Sequence, residues 1–250
     1  MAWFKWKHLL ILIGMIGLMV WSAQVTEFDL RKFSQFSNMV DFLSHWFPLN
    51  TGVVPGVVKA SLVTLGMAFL GSFAGLLVAL PVSLLAAKNT GGHFYGFIRI
   101  LLSFVRSIPE IVLGLMFLTV VGPGPFAATM AIIVHNASVL SKLIAELIEA
   151  ADKGPQEAMK AVGARPIIGA LFSIFPQIWP NVLSHYFYRF EVAIRTSLIL
   201  GLVGGGGIGQ QLFIHFKTFQ YSTVAVDVMI IMFIVIAVDF LGSRVRQYVM

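Results

Sequence analysis

The chain has 250 residues, of which 58% are hydrophobic and 11% are charged, whereas an average soluble domain has about 25% charged residues. Together with a mean hydropathy of +0.89 and several long uncharged segments, this composition excludes an ordinary soluble domain and predicts an all-α, polytopic membrane protein. The formal net charge of +6 indicates basic cytoplasmic segments rather than nucleic-acid binding, and the lack of cysteine excludes disulfides and thiolate chemistry.

The first hydrophobic segment, about Leu9–Ala23, predicts a retained membrane anchor. A signal peptide cleaved after Ala23 is the alternative, but Trp21 occupies a position where cleavage requires a small residue. This segment and the polar, aromatic stretch after it form an N-terminal region of residues 1–50. Residues 51–250 are predicted to form a five-helix core.

Five further spans are predicted in the core, which makes six in the chain. The second span is longer than a bilayer requires, so it must tilt or bend, and Pro81 interrupts it. Pro109 can bend the third span, a Gly-Pro-Gly-Pro turn follows it, and a glycine-rich break, Gly201–Gly209, follows the fifth. The predicted bounds are about Val57–Ala87, Phe97–Val121, Phe126–Ile148, Ile174–Leu200 and Thr223–Leu241.

The distribution of basic residues predicts the orientation, because cytoplasmic segments of membrane proteins are enriched in lysine and arginine. With the N-terminus inside, both termini and the polar segment after the fourth span face the cytoplasm. The outer segments then hold four basic residues, Arg31, Lys32, Lys59 and Lys217. The cytoplasmic segments hold nine, namely Lys5, Lys7, Lys88, Arg99, Lys153, Lys160, Arg165, Arg244 and Arg246.

The polar segment at about 150–175 predicts two short helices joined by a bend. Pro155 suits a first helical turn, and Glu157 is expected in the same turn, where its charge complements the helix dipole. Gly163 weakens the first helix, and Pro166 disfavours helical conformation in the residue before it. The bend is therefore expected between these two residues.

One face of the predicted helix pair is nearly bare, so that another protein can approach it closely. An ordinary solvated loop is the alternative, although such loops are usually shorter. The bare positions are Ala158, Ala161 and Ala164, and charged side chains at the edge are Glu157, Lys160 and Arg165.

The spacing of Glu157, Gly163 and Pro176 resembles the coupling-helix signature of the permease subunits of bacterial ABC importers. That signature is Glu-Ala-Ala, three residues, glycine and twelve residues to a proline; here Met159 replaces the second alanine. The resemblance implies the type I ABC importer permease fold. It also implies that an ATPase subunit binds the segment, with the coupling role carried by Glu157, Ala158, Ala161, Gly163, Ala164, Arg165 and Pro176.

Three further motifs resemble phosphonate-type permeases in particular, and the resemblance covers roughly residues 55–250. They are Val139-Leu-Ser-Lys-Leu143, Tyr188-Arg-Phe-Glu191 and the glycine-rich Gly201–Gly209. The implied solute is a phosphonate or a related phosphorus oxyanion, such as phosphite or phosphate; another small solute, such as an amino acid, is the alternative. The implied partners are a dimeric ATPase that binds ATP and Mg²⁺, an extracytoplasmic solute-binding protein and a second permease copy in a bacterial inner membrane. The chain itself is expected to be no enzyme and to hold no cofactor or metal.

Ionisable residues at membrane depth are candidate pathway residues, because their burial in a bilayer is costly. Arg106 and Glu110 are four residues apart, as are Glu191 and Arg195, so each pair is predicted to share a helix face. Arg189 is left without a carboxylate at that spacing. Internal salt bridges account for the presence of these charged residues as well as a role in the solute pathway does. If they line a pathway, the excess of arginine favours an anionic solute.

Two further sets of residues could line or gate a pathway. His135 and Asn136 are polar residues within the fourth span, where bonding to a neighbouring helix is the alternative role. Gly204, Gly205 and Gly206 belong to the glycine-rich break, which suits either a gate or a plain re-entrant turn. The sequence contains no P-loop, so ATP hydrolysis requires a separate subunit. An ion-driven secondary transporter is the competing function, but it requires internal repeats, and no convincing repeat is present.

Overall fold

The computed structural model describes residues 6–31 and 36–249, and all regular elements in these ranges are helical. Two basic residues of the charge distribution, Lys5 and Lys32, lie outside the described residues. The chain divides into two compact units, Met1–His45 and Trp46–Met250.

The first unit contains helix α1, Trp6–Val25, and the shorter helix α2, Phe36–Ser44. No residue of α1 is buried within the protein, and the helix is long and apolar enough to cross a membrane. That this helix is retained as a membrane anchor stays a prediction.

The second unit is a bundle of five long segments, three of them continuous helices and two of them broken. Within the described residues of both units, four helices could each cross a membrane by length and composition, and the number rises to six if each bent helix pair counts as one span. The long helices are α3 (Val54–Ala86), α4 (Tyr95–Ser107), α5 (Glu110–Val121), α6 (Pro125–Ala150), α9 (Phe175–Leu200) and α11 (Tyr221–Val249). The short ones are α7 (Lys153–Ala161), α8 (Pro166–Gly169) and α10 (Gly207–Lys217).

Helices α3 and α6 run parallel and form the closest contact of the bundle. Gly71 packs against Ile132, and a Cβ atom at Gly71 would lie 2.8 Å from the Ile132 Cβ. Gly75, one turn later, packs against Asn136 in the same way, and a Cβ atom at Gly75 would lie 2.9 Å from the Asn136 Cβ. Small residues at this spacing let two helix backbones approach, which is the usual basis of helix packing within membranes.

The third predicted span is broken. Helices α4 and α5 meet at an angle of 87°, and Ile108 between them has the extended backbone angles φ −80° and ψ 121°. The cause is Pro109, whose ring disfavours helical conformation in the residue before it. A bend at this proline was predicted, but the helix ends there, so Arg106 and Glu110 do not lie on one helix and do not share a face.

The glycine-rich segment forms a π-helical turn, Gly201–Gly205, followed by a change in direction of 55° into α10. Gly204 and Gly206 have positive φ angles of 105° and 84°, which side chains other than glycine rarely adopt. A Cβ atom at Gly206 would also lie 2.8 Å from Cγ of Pro125. The predicted break after the fifth span is therefore present, and it packs tightly against the start of α6.

Candidate functional site

Helix α7 begins at Lys153, because the carboxylate of Asp152 accepts a hydrogen bond of 3.0 Å from the Gly154 N–H and caps the helix. Pro155 lies in the first turn, as predicted. Glu157 is the fifth residue of the helix and lies outside the first turn, so its predicted position there is wrong. Asp152, and not Glu157, supplies the negative charge at the helix N-terminus.

The predicted bend between the two short helices is present, and Gly163 forms it. Its φ angle is +75°, and its N–H donates to the Lys160 carbonyl at 3.0 Å. The next N–H, of Ala164, donates to the Met159 carbonyl at 3.0 Å. These two bonds form a Schellman motif, which ends α7. Arg165 is exposed and precedes α8, which begins at Pro166.

Helix α7 has one face turned toward the bundle and one turned away from it. Gln156 and Met159 are partly buried, whereas Glu157, Ala158 and Ala161 are exposed. These three outward residues are among those predicted to contact a partner. Ala164, predicted on the same bare face, is instead partly buried and lines a cleft on the inward side of α7, because it follows the bend at Gly163. The sequence interpretation missed Val162, whose side chain is 79% exposed beside the bend. An apolar side chain outside the predicted spans was the available signal.

Pro176 lies in the first turn of α9 rather than on the exposed face of α7. The next residue, Gln177, accepts a hydrogen bond of 3.0 Å from the backbone N–H of Asp152 through its Oε1 atom. The start of α9 is thus tied to the segment between α6 and α7. Arg99, Glu149 and Lys88 add a second tie at this end of the bundle: Arg99 pairs with Glu149 at 3.1 Å, and the Lys88 N–H donates to the same carboxylate at 2.7 Å.

A buried polar cluster lies near the middle of α6 and α9. Nη2 of Arg189 and Nε2 of His135 each lie 3.0 Å from the same oxygen of Glu110, and Thr196 donates to the other oxygen. Nε of Arg189 donates to Asn136 at 2.8 Å. The cluster joins α5, α6 and α9, and it brings together four of the predicted pathway residues.

The pairings of the intramembrane charges differ from the prediction. Glu110 pairs with Arg189 and not with Arg106. Glu191 and Arg195 do not pair with each other. Each of them forms an ion pair with a residue of α11, which packs antiparallel to α9. The α11 partners are Arg246 for Glu191, and Asp239 for Arg195 through two contacts of 2.6 and 2.7 Å.

These partners could have been expected from the sequence in part. Asp239 and Asp227 are carboxylates within the last predicted span, where ionisable residues are as costly as in the others. Asp227 is fully buried and pairs with His215 at 2.6 Å, which ties α10 to α11.

Arg106 is the predicted pathway residue that remains free. It is exposed on the last turn of α4, and it has no ion-pair or hydrogen-bond partner within residues 6–31 and 36–249. A cavity of about 350 Å³ opens on the other side of the helix break. It is lined by Pro109, Glu110, Ile111, Thr196, Ile199 and Leu200.

The three candidate gate glycines lie in the turn between α9 and α10. Gly205 and Gly206 are buried, and Gly204 is partly buried. After the turn, the Ile208 N–H donates to Thr64 of α3 at 3.0 Å. This packing against α3 and α6 positions the glycines at the end of the bundle opposite α7.

A membrane-spanning bundle with an exposed two-helix surface at one end is the architecture expected of a membrane subunit that binds another protein. Similarity to known proteins identifies the family of this subunit. Residues 79–249 match the family described as binding-protein-dependent transport system inner membrane component, and the chain belongs to this family. Membership implies that it works with a solute-binding protein and an ATPase, and it sets aside the ion-driven secondary transporter.

Known proteins similar to this chain include named transport permeases. The chain is 35% identical to the phosphite transport system permease protein PtxC of Stutzerimonas stutzeri, over 74% of the chain and 68% of that protein. It is 33% identical to the phosphate-import permease protein PhnE of Mycolicibacterium smegmatis, over 74% of the chain and 35% of that protein.

A solved structure confirms the predicted type I importer permease fold. It is a chain of the inward-facing MetNI methionine ABC transporter, with a TM-score of 0.70 and 22% identity, over 81% of this chain and all of that one.

Proposed function

We propose that the chain forms the translocation pathway of an ABC importer for a phosphorus oxyanion such as phosphonate, phosphite or phosphate. The observation that carries the coupling role is the outward face of α7, where Glu157, Ala158 and Ala161 are exposed beside the bend at Gly163. Exposed alanines let a partner surface approach the helix backbone. In the assembled importer a dimeric ATPase, which binds ATP and Mg²⁺, docks on this face.

The direction of assembly follows from the charge distribution. Both termini and α7 lie on the cytoplasmic side, and the solute-binding protein docks at the opposite end, near the glycine turn. Two copies of the chain enclose the pathway. The solute-binding protein delivers the anion, and ATPase closure moves α7 and rocks the helices that are connected to it.

The contacts at the two ends of α7 support such a connection. Asp152 caps α7 and also donates its N–H to Gln177 of α9. Helix α9 also carries Arg189, which donates hydrogen bonds to Asn136 of α6 and Glu110 of α5. A displacement of α7 therefore acts on α9 and, through the polar cluster, on α5 and α6.

The choice of an anionic solute rests on the relatives and on Arg106. The two relatives described above are named for phosphite transport and phosphate import. Arg106 offers a guanidinium beside the break between α4 and α5 that has no partner in the described part of the chain. Arginine binds phosphorus oxyanions through paired hydrogen bonds. Arg189, in contrast, is only 8% exposed and bonded to Asn136 and Glu110, so it holds the cluster together in this conformation.

The test is uptake by proteoliposomes that contain the purified chain with its ATPase and solute-binding protein. We expect ATP-dependent uptake of at least one of phosphonate, phosphite and phosphate, and none of methionine. Uptake of methionine alone would refute the assigned solute and leave the coupling role intact. Uptake that proceeds at full rate without ATP would refute the coupling role itself.

A further inference from the structure

A cleft separates the inward face of α7 from the segment that joins α3 to α4. Its volume is about 300 Å³, which is at the lower end of the range for small-molecule sites, roughly 300–1,000 Å³. One wall is the segment 88–92, and the other is formed by α7, α8 and the turn that follows. The lining residues are Lys88, Asn89, Thr90, Gly92, Gln156, Met159, Lys160, Ala164, Gly169, Ala170, Ser173 and Ile174.

The cleft carries positive charge. Lys88 lies on one wall and Lys160 on the other, and none of the lining residues is acidic. Within residues 6–31 and 36–249, neither ammonium group has an ion-pair partner. The nearby carboxylate of Glu149 is already occupied by Arg99 and by the backbone N–H of Lys88.

The cleft also contains an unused hydrogen-bond donor. Nε2 of Gln156 is buried and has no partner in the described part of the chain, a state that costs free energy unless a ligand or water satisfies it. Other polar side chains of the lining use their donors within the protein. Asn89 donates to the Ile148 carbonyl at 3.0 Å, and Thr90 donates to the Leu84 carbonyl at 2.6 Å.

We propose that this cleft binds a phosphate-type oxyanion, held between the two lysine ammonium groups and the Gln156 amide. Two cations and one neutral donor, with no competing carboxylate, suit a tetrahedral phosphate-type anion. The bound group bridges the segment between α3 and α4 to α7. The source is either free inorganic phosphate or the headgroup of an anionic lipid. The site lies on the opposite face of α7 from the proposed ATPase contacts and does not depend on which solute is transported.

The test is lysine acetylation of the full chain in nanodiscs, read out residue by residue by mass spectrometry. Lys153 is the matched internal control, because it lies on the same helix, is exposed and does not line the cleft. In phosphatidylcholine nanodiscs, inorganic phosphate at constant ionic strength should slow acetylation of Lys88 and Lys160 several-fold and leave Lys153 unchanged. Protection that instead requires phosphatidylglycerol, without added phosphate, identifies the lipid headgroup as the ligand.

Two variants at Gln156 separate a built site from charge screening. Gln156→Leu removes the neutral donor and should weaken the protection several-fold, and Gln156→Glu adds a carboxylate and should abolish it. Acetylation of Lys153 and of the other lysines outside the cleft, without phosphate or anionic lipid, should match the wild type, which verifies that each variant is folded. Protection of Lys88 and Lys160 is therefore compared within each variant, with and without the ligand. The proposal is overturned if Lys88 and Lys160 are protected no more than Lys153 in both lipid arms, or if protection survives both substitutions.

Discussion

Arg189 of α9 and Glu110 of α5 form an ion pair of 3.0 Å in the interior of the bundle. They are 79 positions apart in the chain, and the pair joins two helices that belong to different predicted spans. Asn136 and His135 of α6 complete the contact from a third helix. The cluster therefore fixes the relative positions of α5, α6 and α9 at the level where α5 begins.

Loss of one partner of this ion pair should destabilise the protein strongly. Arg189→Ala leaves the Glu110 carboxylate partly buried with only His135 and Thr196 beside it, and removal of one member of a buried pair costs about 3–5 kcal/mol. Unfolding in detergent, followed by circular dichroism, measures the loss. Arg189→Met combined with Glu110→Gln should recover much of it, because neither charge then remains buried. If the double variant is no more stable than Arg189→Ala, the loss of stability does not come from an unpaired buried charge, and the prediction is wrong.

The two breaks in the helical spans could be predicted, whereas the charge pairings could not. Pro109 and the glycines at 204 and 206 act on their own backbone angles, so their effect is visible in the sequence. The partner of Arg195 depends on the register between α9 and α11. The i, i+4 spacing identified Glu191 as a neighbour along the helix but gave no information about Asp239 on another helix.

The backbone of the segment at about 150–175 was predicted more accurately than the ion pairs between helices, for the same reason. Its bend at Gly163 depends on local hydrogen bonds to Lys160 and Met159, which a few residues specify. The position of Glu157 was wrong because the competing cap, Asp152, was overlooked. The spacing predicted a carboxylate partner for Arg106 and none for Arg189, and the structure reverses this. The packing of α5, α6 and α9 pairs Arg189 with Glu110, whereas Arg106 has no partner within residues 6–31 and 36–249.

Arg106 should affect transport more than stability. Arg106→Ala removes an exposed guanidinium without an observed partner, so we expect little change in the unfolding midpoint and a several-fold rise in the KM for the oxyanion. Arg106→Lys keeps the charge but loses the paired hydrogen bonds, so its KM should lie between those of the wild type and Arg106→Ala. Uptake by proteoliposomes as a function of solute concentration gives these values. Wild-type KM in Arg106→Ala would exclude contact between this residue and the solute.

The bend at Gly163 should be necessary for coupling. Its φ angle of +75° makes alanine unfavourable by about 1–2 kcal/mol, although there is open space around a Cβ atom. Gly163→Ala should therefore shift α8 relative to α7 and reduce solute-stimulated ATP hydrolysis, measured in the reconstituted complex. Gly154→Ala is the control, because Gly154 is helical and its Cβ atom would make only ordinary contacts, at 3.7 Å from Asp152. Equal hydrolysis in the two variants would contradict the role of the bend.

Gly242 should be required for the contact between α9 and α11. The carboxylate of Glu191 lies directly over it while pairing with Arg246, and a Cβ atom at Gly242 would collide with that carboxylate. Gly242→Ala must therefore move the end of the Glu191 side chain. Because this carboxylate is buried, we expect the shift to separate it from Arg246 and to cost up to about 3–5 kcal/mol, the value for a broken buried pair. Gly66→Ala is the matched control, since Gly66 is also within a long helix but has no atom within 4 Å of an added Cβ. It should be neutral or slightly stabilising, because alanine is the better helix former. Unfolding midpoints in detergent compare the two, and equal midpoints would mean that α11 can shift to accommodate the methyl group without breaking the ion pair.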